Sequence, residues 1–72
     1  MTREEFLTEM QDVLQTDTEL AFDTVLSDLD EWDSLSIMAT MAFIDKNFGV
    51  KLRVADIKAI KTIGDLAEKA GI

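Results

Sequence analysis

Apolar residues along the chain recur at helical spacing in four stretches, with polar breaks between them. In the first stretch Phe6, Met10, Val13 and Leu14 return every three or four residues, with Leu7 alongside, and Glu9 and Asp12 fall on the opposite side. That pattern predicts an amphipathic helix over about 3–15. Thr2 and Glu5 stand before it as a T-x-x-E capping box, which satisfies free amides at a helix start. Residues 16–33 lose the period. Thr16-Asp17-Thr18-Glu19 reads as a turn, and Leu20, Phe22, Val25, Leu26, Leu29 and Trp32 follow at irregular intervals among acids. A connection of this length is rare unless it is functional or packed on the core. Six large apolar residues predict that this one packs, with Trp32 half-buried.

The second helix is expected over 34–48, with Asp33 as its N-cap and Gly49 in the left-handed position that ends it. Its apolar residues divide into two stripes. Ile37, Met41, Ile44 and Phe48 are expected to face the core, and Leu35, Met38 and Ala42 an adjoining face. Val50 and Leu52 alternate with Lys51 and Arg53 in a short extended link. A brief helix over 54–60 should bury Val54, Ile57 and Ile60. Thr62 and Asp65 open a last helix, Ile63, Leu66, Ala67 and Ala70 form its apolar side, and Gly71 stops it. The expected fold is all-α: a small four-helix bundle of three main helices and a short third one, with a long loop between helices 1 and 2. Residues 1–72 read as a single domain.

Composition narrows the chemistry. The chain has no cysteine and no histidine, which removes disulfides, thiolate metal sites, a cysteine nucleophile and the commonest general base. An enzyme is therefore not expected. The net charge of −8 argues against nucleic acid and anionic membrane surfaces and favours basic partners met by electrostatic steering. The charge is also lopsided. Residues 1–45 hold twelve of the fifteen acids and a single base, Arg3, while residues 46–72 hold the other six bases. No run of 18 apolar residues and no apolar leader is present, so a cytoplasmic chain is expected, and the charge favours a monomer.

The most informative segment is Asp33-Ser34-Leu35, after an acidic loop and at the start of the central helix. The surrounding sequence, DLDEWDSLSIMATMAFIDKNFGVKL, resembles the acyl and peptidyl carrier protein family, whose hallmark is Asp-Ser-Leu followed by a helix closing on Phe-Gly. The resemblance continues through DIKAIKTIGDLAEKAG, where the family has a short third helix, a threonine and a final helix. It covers nearly the whole chain, and the length is that of a free-standing carrier. Trp32, directly before the motif, looks more like carriers of specialised biosynthesis than the fatty-acid type.

The resemblance implies that Ser34 carries 4′-phosphopantetheine and that acyl or aminoacyl cargo rides on it as a thioester. Physical chemistry supports the position: a helix N-terminus offers free amides and a positive dipole end to the anionic phosphodiester. The arm also brings the thiol that the sequence lacks. Asp33 is an N-cap in its own right, and the resemblance gives it a second role in placing the transferase's metal ion. Implied partners are a phosphopantetheinyl transferase and enzymes that load and transfer acyl groups. Leu35, Met38 and Ala42 form the expected docking patch, with Asp28, Asp30, Glu31 and Asp45 around it. The chain departs from the family on the central helix, where Ser36, Ala39 and Lys46 replace acids. Thr40 stands where many relatives have leucine, and Phe43 is larger than the usual residue; both argue against a cavity for a long fatty chain.

Two rival readings follow from the same residues. One is an acidic helical interaction module that is never modified, against which the intact Asp33-Ser34-Leu35 stands. The other is a calcium-binding protein, since Asp28-Leu29-Asp30-Glu31-Trp32-Asp33 imitates the opening of an EF-hand loop. Such a loop needs glycine where Asp33 stands and glutamate where Ala39 stands, so the imitation fails twice.

Overall fold

A computed structural model describes all residues, 1–72. Four helices follow one another: α1 (Arg3–Leu14), α2 (Ser34–Phe48), α3 (Val54–Ala59) and α4 (Ile63–Ala70), with a 3-10 turn at Leu26–Asp28 in the long α1–α2 loop. The only extended pairing is an isolated antiparallel bridge between Val25 and Thr62. The all-α bundle with its short third helix is thus the observed architecture.

The predicted capping boxes set the helix starts. The Thr2 hydroxyl accepts from the Glu5 amide at 3.0 Å and the Glu5 carboxylate accepts from the Thr2 amide at 2.9 Å. Thr62 and Asp65 do the same for α4, at 3.1 and 3.2 Å. At α3 only half of such a box forms, the Asp56 carboxylate accepting from the Arg53 amide at 2.9 Å. α1 ends one residue earlier than its pattern suggests. Gln15 takes a left-handed conformation, φ 53°, so that its amide and that of Thr16 turn back onto the Asp12 and Gln11 carbonyls.

Phe6, Met10 and Leu14 of α1 are buried at successive turns and meet Ile44 of α2, Ile57 of α3, and Ile63, Leu66, Ala67 and Ala70 of α4. Phe6 also lies within 6.0 Å of the Phe43 ring and 5.9 Å of the Phe48 ring, and these two rings are 6.2 Å apart. Such tilted triplets add to simple area burial.

The α1–α2 loop packs as expected. Leu20 and Leu26 join the core, and Phe22, Leu29 and Trp32 are half-buried against it. Three backbone bonds pin the loop along the start of α4: Gly64 N–H to the Phe22 carbonyl at 2.8 Å, Ile63 to Thr24 at 3.1 Å, and Leu26 to Lys61 at 2.8 Å. A side chain at position 64 would place its Cβ 2.9 Å from the Phe22 oxygen, so this approach requires glycine. Arg3 adds its guanidinium over the Phe22 ring at 4.3 Å.

The expected stripe of α2 faces the core, with Ile44 buried and Ile37, Met41 and Phe48 half-buried against it, and Ser36 and Thr40 are buried beside it. The hydroxyls make this possible, because each bonds within its own helix: Thr40 to the Ser36 carbonyl at 2.8 Å and Ser36 to the Asp33 carbonyl at 3.0 Å. With its polar atoms satisfied, a small polar side chain enters the core at little cost. In α3, Val54 is 44% exposed rather than buried, because only Ile57 of this short helix points squarely inward.

Candidate functional site

Ser34 is the first residue of α2 and is exposed. The turn that holds it is built by its neighbours. The Asp33 carboxylate accepts from the Ser36 amide at 3.0 Å, and the Ser36 hydroxyl accepts from the Asp33 amide at 2.8 Å. This reciprocal box joins Asp33 to Ser36 and leaves the Ser34 hydroxyl out of every bond. The Ser34 and Leu35 amides have no acceptor within the chain, so two N–H groups stand free at the positive end of a fifteen-residue helix. These are features that fit a serine-linked phosphodiester: an accessible oxygen, free amide donors, and a fixed backbone.

Ser36, which stands where the resemblance leads one to expect an acid, has a role in the site that the sequence reading did not give it. It is buried and closes the capping box. The signal is present in D-x-x-S, in which serine replaces the glutamate or glutamine more familiar at the third helical position.

The remaining candidates lie in the α1–α2 loop and along α2. Leu35 is 79% exposed and Met38 64%, an unusual exposure for large apolar side chains, and Ala42 continues the same stripe. Asp28, Asp30 and Asp45 are exposed and Glu31 is half-buried. Glu31, Asp33 and Leu35 come together on a shallow cavity of about 340 Å³ that Val13 and Leu14 of α1 close from the other side. Asp45 lies apart from them, eleven residues along α2 from Ser34 and so roughly 16 Å away. Trp32 lines a second, mostly apolar groove with residues of α3.

Three carboxyl groups titrate below their ordinary range, none of them beside Ser34. Glu5 is lowered by the Thr2 amide, Asp56 by the Arg53 amide, and Asp65 by the amides of Lys61 and Thr62. All three belong to helix caps, so their shifts report fold construction. No group of three or more acidic side chains is placed to hold a metal ion. No helix is long and apolar enough to cross a membrane.

A family model described as "Phosphopantetheine attachment site" matches residues 4–69. Comparison with curated proteins finds no match. Among solved structures the chain is similar to the solution NMR structure of a holo acyl carrier protein from Geobacter metallireducens. The two are 25% identical with a TM-score of 0.73, over 93% of this chain and 78% of that one. The family match spans all four helices and the capped serine between the loop and α2. The chain therefore belongs to the phosphopantetheine attachment family, as a helical acyl-carrier domain rather than an enzyme, with 4′-phosphopantetheine as its prosthetic group.

Proposed function

We propose that Ser34 is the attachment point of the arm and that residues 1–72 act as one carrier domain. The observation that carries this reading is the exposed Ser34 hydroxyl at the first position of α2, free of bonds while Asp33 and Ser36 lock the turn on either side. The bound arm supplies a thiol on which acyl groups are held as thioesters. The protein's part is to keep the serine oxygen accessible to a phosphopantetheinyl transferase and to offer the Ser34 and Leu35 amides to the phosphate. With no histidine in the chain and no hydrogen bond on its oxygen, Ser34 has no base of its own, which suits a residue modified by another enzyme.

Recognition by the transferase and by acyl-handling enzymes is assigned to Leu35, Met38 and Ala42, with Asp28, Asp30, Glu31 and Asp45 as the charged surround. Large apolar side chains left in water at 64% and 79% exposure support a docking patch. Methionine adapts to more than one partner surface. Along α2 the only acid after the cap is Asp45, so the loop acids supply most of the negative charge that a basic partner meets. Asp33 is assigned the additional task of placing the transferase's metal. The pathway is assigned to fatty-acid-like or specialised biosynthesis, and the position of Trp32 favours the specialised kind.

Incubation with a promiscuous transferase and coenzyme A, read by intact mass, tests the assignment. The wild-type chain gains a single arm and Ser34→Ala gains none. An arm that still appears on Ser34→Ala assigns attachment to another residue.

A further inference from the structure

With no cysteine in the sequence, thioethers are the only sulfur groups that an oxidant meets before the arm is attached. The four methionines differ in access. Met10 is fully buried in the core, Met41 is half-buried against it, Met1 is 49% exposed at the start of the chain, and Met38 is 64% exposed on α2. Met38 is also the one beside Ser34. It lies four residues further along the helix, which puts the two side chains on one face with Cβ atoms about 5–6 Å apart. Leu35, three residues before Met38, is its other exposed neighbour. None of the four surface cavities has Met38 among its walls, so its thioether lies in no recess. An enzyme that reaches the Ser34 oxygen must cover this turn of α2 and take the thioether out of water.

We infer that Met38 is an oxidation site whose sulfoxide weakens docking on the unmodified protein. The inference rests on Ser34 as the attachment point and on Leu35, Met38 and Ala42 as the docking patch. The oxidant is a peroxide. With hydrogen peroxide, the Met38 sulfur attacks one oxygen, the O–O bond breaks, an S–O bond forms, and the other oxygen leaves as water. Sulfur loses two electrons and the peroxide gains them. A methionine sulfoxide reductase with a thiol as reductant reverses the step, giving thioether, disulfide and water. In the free protein the new oxygen points into water, so the fold tolerates it. Under a docked enzyme it is stripped of water where a thioether was apolar and adaptable. The same change at Met10 would disrupt the core instead. Arm attachment is thus slowed under peroxide and restored by reduction.

Unmodified protein is treated with hydrogen peroxide until intact mass shows the gain of one oxygen, and catalase ends the reaction. Peptide fragmentation locates the oxygen. Met38 is expected to react ahead of Met41, while Met10 stays reduced and helical circular dichroism is unchanged. Arm attachment from coenzyme A by a promiscuous transferase is then followed by mass at limiting protein. The Met38 sulfoxide form is expected to load about tenfold more slowly, the scale of one large apolar side chain lost from an interface. Methionine sulfoxide reductases of both stereospecificities, with dithiothreitol, restore the rate. Met38→Leu, whatever its own rate, keeps that rate after the same treatment, although Met1 and Met41 still react. Calorimetric titration of the transferase with each form reads docking apart from transfer. Equal loading and binding by the oxidised and untreated forms overturns the inference. So does a rate that peroxide lowers equally in Met38→Leu, or a Met41 that reacts as fast as Met38. If the untreated chain gains no arm, the reading of Ser34 fails instead, and the order of oxidation and the calorimetry still decide Met38.

Discussion

At the residue scale the site is a division of labour among three neighbours. Asp33 and Ser36 each make bonds that hold the turn, and Ser34 between them makes none. This separates two tasks of Asp33 that a single substitution would confuse. Asp33→Ala removes the cap and is expected to lower stability by about 1 kcal/mol. Asp33→Asn keeps a capping oxygen and restores that stability, but lacks the charge that a metal ion needs. Urea unfolding beside the rate of arm attachment is the measurement. Asparagine should recover the unfolding midpoint and leave attachment slow. Recovery of both would make Asp33 a cap and nothing more. Asp33-Ser34-Leu35 is legible in the amino-acid sequence alone, because a short polar cap ahead of an apolar period is a local signal. Ser36 and Thr40 are not. Their burial depends on hydroxyls that bond backward along the helix, and an apolar–polar pattern scores them as solvent-facing.

At the element scale two backbone positions carry the long loop. Gln15 ends α1 in a conformation that costs a side-chain-bearing residue about 1–2 kcal/mol. Gln15→Gly relieves it and is expected to raise stability by about 0.5–1 kcal/mol, less than the full cost because glycine also loosens the unfolded chain. A lower midpoint in chemical denaturation would show that the Gln15 side chain contributes more than its backbone costs. Gly64 has the opposite character. Gly64→Ala forces a methyl against the Phe22 carbonyl and should cost about 1–3 kcal/mol. Hydrogen exchange locates the damage: the Leu26, Ile63 and Gly64 amides, which tie the loop to α4, lose protection first. Protection lost evenly over the chain would mean that the loop has no separate anchorage. The sequence carries the loop's apolar content but not its partner, since that pairing joins residues about forty positions apart.

At the scale of the whole molecule, charge dominates. Most of the excess acid lies in α1 and the loop, and most bases in α3, α4 and their flanks, so the charge is divided along the chain. A net charge of −8 on 72 residues opposes compaction. Raising salt shortens the Debye length from about 30 Å at 0.01 M to about 8 Å at 0.15 M, and the melting temperature should rise accordingly. A fall would place the balance of surface charge on the attractive side. Acid acts through the caps. Glu5, Asp56 and Asp65 are held below their ordinary range by the amides they accept from, so the folded state binds their protons more weakly than the unfolded state. That stabilisation is complete above the ordinary carboxylate range, near pH 4, and is lost as the pH falls through the lowered values. Urea midpoints should drop between pH 5 and pH 3, and the drop should shrink in Asp65→Asn, whose cap no longer titrates.

The sequence by itself determined the helices, their caps and the serine at the head of α2, because each is specified by residues within a few positions of one another. Capping boxes, apolar periods and left-handed glycines act over one or two turns, and no distant contact is needed to read them. Tertiary structure decided that Ser36 and Thr40 are buried beside the apolar stripe of α2, where the loop is tied, and that Trp32 shares a groove with Lys58 and Lys61. Those outcomes follow from contacts between α1, α2, α3 and the start of α4, and their energy exists only once these elements meet.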